Sequence, residues 1–462
     1  MTDAFRKKLV KKLGTAAVMT SPAPEFASDK WFAKGSPELV VFPKSTEETS
    51  FVLREAYRAG IPVTPRGAGY GYVGGCTPVA GGIVLCLDRM NHILEINERD
   101  FVAVVEPGVI TEKLQLAARA KSLFYPPDPA SLKDCSLGGN IATNAGGPRC
   151  LKYGVTRNYV LGLTAVLPDG TIIRCGGRTH KNKTGFDLVG LFTGSEGLLG
   201  VVTQATLRLL PLPPARAVLT AGFPTMKKAA GAIQAVFAAG FLPAAVEVAD
   251  EFTLDSARAY NPKAEFPPGK AQVILEVDGQ PASVKSEAAA LEKLLKKSGA
   301  LGIRKATTEK ACESLWALRR VYSQSLKATG LKKLNEDIVV PRGRLVDLMD
   351  FAARLQKKSG FPIACFGHAG DGNIHVNIMA AGYHSDATVK SKVDRALDEL
   401  FKQVLAWGGA ITGEHGIGIA KQRWWPQAVS AVNRALHENI KSALDPKGIL
   451  NPDKFVTIKG SR

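Results

Sequence analysis

Two short motifs late in the chain contain the residue types best suited to chemistry. GHAGDGNIHVNI at 367–378 and TGEHGIG at 412–418 together hold three of the seven histidines. His375 and Asn377 are two residues apart in a predicted strand at 374–378, so their side chains face the same side. The turn before that strand can bring His368 back beside His375.

Two imidazoles and one carboxylate form a set that can bind a divalent metal ion. With Glu414 as the carboxylate, His368 and His375 make a set that suits Zn²⁺, Mn²⁺ or Fe²⁺. A divalent ion on a hydroxyl lowers the pKa of that hydroxyl, as it does for bound water. Spacing alone leaves a second interpretation open, in which these are hydrogen-bonded structural histidines.

Three loops rich in glycine, asparagine and serine precede these motifs. They are PRGAGYGYVGG at 65–75, PPDPASLKDCSLGGNIATNAGGP at 126–148 and GSEGLLGVVT at 194–203. Glycine permits positive φ values and lets backbone amides approach a phosphate closely. Each loop alone is compatible with a structural turn, and the first is neither a Rossmann nor a Walker A motif. Together they favour a long diphosphate ligand that crosses one domain.

An anionic substrate would need a cation, and LWALRRVYSQS offers Arg319 and Arg320 on a predicted helix. Arginine can bind a carboxylate through two parallel hydrogen bonds. Ser323 follows one turn later, on the same face of that helix. Either arginine is also compatible with a surface charge.

The apolar pattern predicts the elements that position these groups. Residues 39–42 form a short strand, Ser45 and Glu48 form a capping box that begins a helix, and the helix ends near Gly60. A βαβ order then repeats loosely up to a strand at 204–210. The prolines of LPLPPARA mark a boundary, beyond which strands alternate with helices, the clearest at 284–299, 390–406 and 427–444.

Composition excludes several classes of protein. A chain of 462 residues with 45% hydrophobic residues can bury a large core, so global disorder is excluded. Seven cysteines without CxxC spacing exclude an iron–sulfur cluster held by this chain alone and indicate reduced thiols in the cytoplasm. No apolar run reaches the length of a transmembrane helix.

The formal net charge of +18 suits nucleic acid, a membrane surface or an anionic substrate. No nucleic-acid-binding motif accompanies the charge, so we expect no nucleic-acid partner. The basic N-terminus MTDAFRKKLVKKLG is either a solvated first helix or a contact for an anionic membrane or an acidic partner. Peripheral contact with the inner membrane surface therefore stays open.

The pieces PRGAG, PPDP, GGNIATNAGGPRCLKYG and GSEGLLGVVT resemble the PCMH-type flavoproteins of the vanillyl-alcohol oxidase superfamily. More narrowly, the chain resembles the D-2-hydroxyacid dehydrogenase branch, which includes D-lactate dehydrogenase, the flavoprotein component of glycolate oxidase, and D-2-hydroxyglutarate dehydrogenase. The resemblance implies an α+β fold, in which two α+β subdomains bind FAD and a cap domain has an antiparallel sheet flanked by helices. The implied segments are an N-terminal segment at 1–34, the FAD-binding domain at 35–214, the substrate or cap domain at 215–415 and a C-terminal segment at 416–462 that returns to the FAD domain.

The resemblance also implies which residues hold FAD. The first loop binds the diphosphate through backbone amides, the second lies along the flavin and ribityl, and the third meets the adenosine side. The implied FAD-binding residues are Arg66, Gly67, Ala68, Gly69, Tyr70, Pro127, Asp128, Ser136, Gly138, Gly139, Asn140, Asn144, Gly147, Glu196, Gly200, Val202 and Asn451. The chain departs from the family at 70–73, where Tyr-Gly-Tyr-Val follows GAG. FAD is expected to be non-covalent, since His92 and His180 lie outside the matching motifs.

For catalysis, the resemblance implies that His368, His375 and Glu414 bind a divalent ion, usually zinc. It implies that His415 is the base, that Asn377 contacts the substrate and that Arg319 binds the substrate carboxylate. Members of the family also often use a lysine or polar residue farther along the chain, which makes Lys333 and Asn335 further candidates. Oxidising a 2-hydroxy acid removes the hydroxyl proton and the Cα hydride. A neutral histidine can accept the proton, and flavin N5 takes the hydride. The predicted substrate is D-lactate, glycolate or D-2-hydroxyglutarate, and the product is the 2-oxo acid.

Other functions compete with this prediction. An alcohol or sugar-lactone oxidase of the same fold is the main alternative, and the HAGDGNIH and GEHG motifs argue against it. The three glycine loops argue against a flavin-free metallohydrolase, and the intact His and Glu set argues against a non-catalytic subunit. Electrons must leave reduced FAD, so an external acceptor is expected: an iron–sulfur subunit, electron-transfer flavoprotein, cytochrome or quinone. A homodimer is a further expectation.

Overall fold

Two units account for residues 1–458, the part of the chain that this computed structural model describes. Unit 1 contains Met1–Gly146, Val155–Leu212 and the chain from Glu414 onward, and unit 2 contains Gly147–Gly154 and Pro213–Gly413. The passage at Leu212–Pro213 falls inside the proline-rich stretch. No sequence pattern indicated that the octapeptide 147–154 would leave unit 1. The division into the segments 1–34, 35–214, 215–415 and 416–462 stays a prediction.

The first sheet of unit 1 has four strands in the order β1-β2-β4-β3. Its strands are β1 (Val18–Met19), β2 (Leu39–Val41), β3 (Val63–Arg66) and β4 (Ile83–Cys86). Strands β2 and β3 each pair in parallel with β4, which lies between them. The chain from β2 through a helix to β3 is the predicted strand–helix–strand unit. The connecting helix is α2 (Thr46–Ala59), which Ser45 caps by accepting from the Glu48 amide, and Gly60 ends it at φ +64°. The predicted N-cap is confirmed, but the Glu48 carboxylate accepts from the Lys44 amide (2.8 Å) and not from the Ser45 amide, so the reciprocal bond of a capping box is not formed.

The second sheet of unit 1 is antiparallel, with the order β5-β6-β10-β8-β9. Its strands are β5 (Ile93–Asn97), β6 (Val102–Val105), β8 (Val160–Val166), β9 (Ile172–Gly176) and β10 (Val201–Arg208), and β7 (Leu123–Phe124) pairs separately with β11 (Leu210–Pro211). The prediction that βαβ order continues to residue 210 is therefore wrong. Burial alternates along β10, as in an antiparallel sheet with one face less covered.

Helices surround these two sheets. The helices of unit 1 are α1 (Asp3–Leu13), α2, α3 (Thr111–Arg119), α4 (Leu137–Thr143), α6 (Leu188–Phe192), α14 (Trp425–Ala428) and α15 (Ala431–Leu444). The basic α1 packs on unit 1 through the fully buried Leu9 and an ion pair between Lys8 and Glu55. The single helix predicted at 427–444 is divided, since Ser430 caps α15 by accepting from the Asn433 amide.

Unit 2 is built on a seven-stranded antiparallel sheet with the order β15-β12-β14-β13-β17-β18-β16. Its strands are β12 (Ala215–Phe223), β13 (Ala245–Ala249), β14 (Ala271–Gly279), β15 (Gly302–Ala306), β16 (Lys333–Val339), β17 (Ile363–His368) and β18 (Asn373–Met379). The predicted antiparallel sheet of the cap domain and the predicted strand at 374–378 are confirmed.

Eight helices flank this sheet within the described part of the chain. They are α5 (Cys150–Tyr153), α7 (Met226–Ala238), α8 (Glu251–Tyr260), α9 (Pro281–Lys297), α10 (Glu309–Arg320), α11 (Tyr322–Ala328), α12 (Leu345–Ser359) and α13 (Ala387–Ala406). Val321 separates α10 from α11, so the prediction of one helix carrying Arg319 and Ser323 is wrong. At this break the buried Tyr322 donates its hydroxyl to Gln272 Oε1 (2.6 Å).

In residues 1–458, every helix is too short or too polar to cross a membrane.

Candidate active site

One face of the unit 2 sheet carries an unusual number of polar side chains. Residues directly opposite each other in antiparallel strands point to the same face. The register pairs Glu247 with His368, Asp337 with His375, and Asn335 with Asn377. Strand β17 completes the row, because Phe366 pairs with His375. The antiparallel pairing thus gathers on one face several side chains that are distant in sequence.

The two predicted metal-binding histidines of unit 2 lie side by side on this face. The rings of His368 and His375 are 5.6 Å apart between centroids, and both side chains are buried. The Nδ1 atom of His368 lies 2.5 Å from Glu247 Oε1, to which its N–H donates. In metal-binding histidines, a carboxylate partner on one ring nitrogen usually leaves the other ring nitrogen to bind the metal. The donor types therefore fit a divalent ion.

Glu247 is the buried carboxylate that sequence reasoning missed. It accepts from His368 and also from Nε of Arg319 in a buried ion pair. Burial opposes ionisation, but the charges and hydrogen bonds of His368 and Arg319 outweigh it and lower the pKa of Glu247 to about 2. The signal available in the sequence was an acidic residue inside the apolar strand AVEVA of β13.

Asp337 fixes the chain that leads to the third predicted metal ligand. Its carboxylate accepts from Thr412 Oγ1 (2.9 Å), from the Gly413 amide (2.9 Å) and from Asn373 Nδ2 (2.6 Å). A Cβ on Gly413 would lie 2.3 Å from Asn373 Nδ2, so only glycine fits. Glu414 follows Gly413 after one peptide step of about 3.8 Å. Asp337, which pairs with His375, thus restrains the backbone next to Glu414.

Two buried amide oxygens on the same sheet face have no hydrogen-bond partner among the described residues. They are Oδ1 of Asn335 and Oδ1 of Asn377. The Asn377 amide group donates from Nδ2 to the carbonyls of Ala364 and His375, both at 3.0 Å. A buried oxygen without a donor costs free energy, so both oxygens are suited to a ligand that donates hydrogen bonds.

Two cations converge on Phe366 at this face. The Arg319 guanidinium lies 4.9 Å from the ring centroid of Phe366, and Lys333 Nζ lies 5.6 Å from it. Lys333 donates to Ser323 Oγ (2.7 Å). Burial, reinforced by the charges of Lys327 and Arg319, lowers the pKa of Lys333 to about 7. Arg320 instead pairs at the surface with Glu313 (2.9 Å).

The three glycine-rich loops meet within unit 1. Ser136 Oγ accepts from the Ala68 amide (3.2 Å), and a Cβ on Gly67 would lie 2.4 Å from that oxygen. The third loop is tied to the second, since the amides of Gly194 and Glu196 donate to carbonyls at Ile141 and Ala142 (2.8 and 2.7 Å). These close approaches explain why glycine recurs in the three loops.

Several side chains that resemblance assigns to FAD binding form hydrogen bonds with other residues of the chain. Arg66 is buried and donates to the Ser28 carbonyl (2.8 Å). Asn140 Nδ2 donates to Thr111 Oγ1 (2.6 Å), and Asn144 Oδ1 accepts from the Arg157 amide (2.8 Å). These three residues shape the loops, and their contacts with FAD stay predictions.

The other predicted FAD residues occupy varied positions. Asp128 and Ser136 are buried, the Pro127 carbonyl accepts from Gln115 (2.9 Å), and Val202 lies in β10. Close neighbours surround Gly69, Gly138 and Gly200, where an added Cβ would meet Arg66, Pro107 and Phe192. Tyr70 lies beneath Lys30, Gly139 lies in α4, and Gly147 belongs to unit 2.

Asn451 gives a test of whether unit 1 fits a bound cofactor. Its Nδ2 donates to the carbonyls of Gly75 (3.0 Å) and Glu196 (2.8 Å), which joins the first and third loops. Its Oδ1 is buried without a hydrogen-bond partner among residues 1–458. A ligand donor beside the loops would satisfy this oxygen, so the residues present fit FAD.

His415 belongs to unit 1, where its ring stacks on Tyr72. The ring centroids are 5.4 Å apart and the planes differ by 29°. Tyr72 lies in the segment at 70–73 where the chain departs from the family pattern. The backbone after His415 is bound by Glu196, whose carboxylate accepts from the amides of Ile417 and Gly418, both at 2.8 Å.

Family models match both units of the chain. Residues 37–176 match the FAD binding domain, and residues 212–455 match the FAD linked oxidases, C-terminal domain. The chain belongs to the FAD-linked oxidase family.

Curated relatives agree with that assignment over most of their length. The chain is 38% identical over 419 residues to the glycolate oxidase subunit GlcD of Bacillus subtilis, covering 91% of this chain and 89% of that protein. It is 32% identical over 431 residues to D-lactate dehydrogenase of Anaerostipes hadrus, covering 92% and 90%. This FAD-linked oxidase is therefore similar to enzymes named for two different 2-hydroxy acids.

Solved structures extend the likeness of fold. The chain matches 4-ethylphenol oxidase from Gulosibacter chungangensis with a TM-score of 0.78 at 22% identity, covering 100% of this chain and 99% of that one. It matches p-cresol methylhydroxylase with a TM-score of 0.77 at 19% identity, covering 99% and 98%. The PCMH-type fold of this FAD-linked oxidase is thereby shown.

Proposed function

We propose that this FAD-linked oxidase oxidises a D-2-hydroxy acid to the 2-oxo acid and passes the electrons to an external acceptor. The candidate substrates are D-lactate, glycolate and D-2-hydroxyglutarate. The observation that carries the proposal is the sheet face of unit 2, where His368, His375 and Asn377 lie with Arg319 and Lys333. The names of the curated relatives support the same substrate class.

The metal site is the first element of the proposed mechanism. We assign His368, His375 and Glu414 as ligands of a divalent ion, with zinc the first choice. Two neutral imidazoles and a carboxylate are a usual ligand set for zinc. Glu247 holds Nδ1 of His368, and Asp337 restrains the backbone next to Glu414. When bound, the ion supplies Lewis acidity toward the substrate hydroxyl and FAD supplies the acceptor for the hydride.

Proton removal is assigned to His415. A neutral imidazole accepts a proton readily near neutral pH, and general-base catalysis by a histidine is common. Stacking on Tyr72 limits rotation of the ring, and the bound backbone of Ile417 and Gly418 limits movement of the loop. Asn377 is assigned a hydrogen bond to the substrate, because its Oδ1 lacks a partner among the described residues.

Binding of the substrate carboxylate is assigned to Lys333, Arg319 and Ser323. Glu247 supplies one negative charge next to Arg319, whereas no carboxylate pairs with Lys333 among residues 1–458. Burying an ammonium without a counter-charge is costly, and the lowered pKa of Lys333 expresses that cost. A bound carboxylate would supply the missing charge. The side chains of Arg319 and Lys333, with the hydroxyl of Ser323 beside Lys333, therefore suit an anionic substrate.

The remaining assignments concern electrons and FAD. We propose non-covalent FAD, since His92 contacts Glu106 (2.7 Å) and His180 contacts the Asp100 carbonyl (3.2 Å), both at exposed positions. The acceptor is proposed to be an iron–sulfur subunit, electron-transfer flavoprotein, cytochrome or quinone. The net charge of +18 favours an acidic partner or an anionic membrane surface.

Anaerobic absorbance spectroscopy of the purified protein tests the proposal. We expect flavin bands that bleach when D-lactate, glycolate or D-2-hydroxyglutarate is added, with L-lactate as the stereochemical control. Bleaching by a phenolic alcohol instead would favour the alcohol oxidase alternative. Absence of flavin bands after reconstitution with FAD would contradict the central claim.

A further inference from the structure

The chain that follows His415 is bound at four consecutive backbone amides. The amides of Ile417 and Gly418 donate to Glu196 Oε1 and Oε2, each at 2.8 Å. The next two, at Ile419 and Ala420, donate to the Val73 carbonyl at 2.7 and 3.1 Å. All these residues belong to unit 1. We call residues 414–420 the His415 loop.

Glu196 is itself held in an unusual backbone conformation. Its φ is +51°, in the left-handed region that residues other than glycine rarely adopt. Its amide donates to the Ala142 carbonyl (2.7 Å), and its own carbonyl accepts from Asn451 Nδ2 (2.8 Å). Such a conformation persists only where the surrounding structure fixes it, and it concentrates at functional sites. Here it aims the carboxylate at the His415 loop.

Two backbone amides and two lysines oppose the effect of burial on the carboxyl group of Glu196, whose pKa nevertheless lies above its ordinary value. Burial raises the pKa of Glu196, whereas the amides of Ile417 and Gly418 and the charges of Lys421 and Lys454 act in the opposite direction. Both lysines are buried. An ionised acceptor binds backbone amides more strongly than a neutral one does. In its ionised form, the carboxylate therefore restrains the loop more firmly than a neutral carboxylic acid would.

We propose that Glu196 is a positioning residue for His415, acting through the amides of Ile417 and Gly418. Each oxygen of its carboxylate accepts from one of these amides, and we assign its side chain this role in place of the contact with the adenosine half of FAD that resemblance implies. The proposal rests on the proposed function, in which His415 removes the substrate proton. Tyr72 orients the His415 ring from one side, and Glu196 fixes the backbone that carries it.

The first experiment compares the holoenzyme with its Glu196→Gln variant. A glutamine of equal size replaces one carboxylate oxygen with an NH₂ group, which cannot accept from an amide. Glu55→Gln is the matched control, because Glu55 is another glutamate of unit 1 with two partners, but those partners are the side chains of Lys8 and Arg58. We measure the affinity for FAD, amide hydrogen–deuterium exchange over 414–420, and the rate of flavin reduction.

The expected result for Glu196→Gln has three parts. FAD binds within about twofold of the original affinity, exchange at residues 417 and 418 rises by about 10-fold or more, and saturating flavin reduction slows by about 10-fold. KM for the hydroxy acid stays nearly unchanged. Glu55→Gln changes none of these quantities.

A second variant perturbs the same contact from the loop side. A Cβ on Gly416 would lie 2.8 Å from Glu196 Oε1, and Gly416 has φ +86°. Gly416→Ala should therefore raise exchange over 417–420 while Glu196 is intact. Gly60→Ala is the control for backbone strain alone, since Gly60 has φ +64° and nothing lies within 4 Å of an added Cβ.

Two results would overturn the proposal. One is weaker FAD binding by Glu196→Gln with unchanged exchange at 417 and 418, which would restore the adenosine contact. The other is unchanged exchange in both Glu196→Gln and Gly416→Ala. Failure of the proposed function is a separate result, namely that no 2-hydroxy acid reduces the flavin of the original protein. The exchange measurement needs no substrate and decides the role of Glu196 in either case.

Discussion

Each unit has a glutamate beside a predicted functional group, Glu247 buried and Glu196 half-buried, and the two glutamates bind different kinds of partner. In unit 2, Glu247 binds the side chains of His368 and Arg319. In unit 1, Glu196 binds two backbone amides. Burial raises the pKa of Glu196, whereas the cationic partners lower the pKa of Glu247 to about 2. Side-chain partners neutralise charge and orient ligand atoms, and backbone partners fix the path of a loop.

The largest effect is expected from removing the imidazole of His415, which lies in the His415 loop of unit 1. His415→Ala should lower the rate of flavin reduction by about 10²–10⁴-fold, since a general base contributes that much. FAD content should stay the same. Anaerobic stopped-flow absorbance measures the rate, with His437→Ala as a control at an exposed histidine of α15. A rate within about twofold of the original would remove His415 from the role of base.

Removing the charge of Glu247 sharpens the comparison most directly. Glu247→Gln leaves buried Arg319 without its counter-charge, and breaking a buried pair costs about 3–5 kcal/mol. Glu196→Gln should cost about 1–3 kcal/mol, because it loses hydrogen bonds to neutral amides. Urea unfolding of both variants measures the free energies of unfolding. Equal losses of unfolding free energy in the two variants would show that side-chain and backbone partners contribute equally to stability.

The same Glu247→Gln variant should also bind metal more weakly. Loss of a carboxylate partner to a metal-binding histidine typically lowers metal affinity by about 10–100-fold. Competition with a chelator, followed by elemental analysis, measures the affinity. Glu313→Gln removes a surface carboxylate from the same unit and serves as the control. Undiminished affinity would separate Glu247 from the metal site.

Lys333 allows a test of charge that depends on pH. Lys333→Met should raise KM for 2-hydroxy acids by about 10–100-fold, since a hydrogen bond to a charged group is lost. In the original protein, the pKa of Lys333 is lowered to about 7, so the ammonium is lost as pH rises through that value. KM should therefore rise with pH above about 7, whereas Lys333→Arg keeps its charge and should give a flat profile. A rising KM in Lys333→Arg would assign the titration to another group.

The smallest effect is expected for Tyr72. Tyr72→Leu removes the ring that stacks on His415, and such pairs contribute about 0.5–1.5 kcal/mol. Flavin reduction should slow by about 2–10-fold, and Tyr72→Phe should keep more of the rate than Tyr72→Leu does. Stopped-flow absorbance again measures it. Equal rates in both variants would show that the stacked ring does not orient His415.

Local patterns were sufficient to predict several parts of the molecule. The N-cap of α2 depends on residues three apart, and the shared face of His375 and Asn377 follows from the two-residue period of a strand. The proline-rich boundary is also local. By contrast, Glu247 lies 121 residues from His368. Only the pairing of β13 with β17 brings the two together, and no local pattern specifies which strands pair.

Other features depended on tertiary packing in the same way. No local pattern indicated the break at Val321, where Tyr322 turns to donate to Gln272. Asp337 was not identified because its partners at Thr412 and Gly413 lie 75 and 76 residues away. The roles predicted for the FAD-binding residues came from resemblance to a family, because glycine-rich loops alone do not specify which ligand they bind.

The octapeptide 147–154 has a consequence for gene engineering. It belongs to unit 2, where Arg149 binds Glu276 (2.8 Å) and Lys152 and Tyr153 bind Asp278 (2.5 and 2.7 Å). If only residues 213–413 are replaced by those of a relative, the acidic residues come from the relative. Their partners in 147–154 still come from this protein, so the pairs are mismatched. A hybrid that keeps these ion pairs must therefore exchange two separate stretches of the gene, because unit 2 is a discontinuous module.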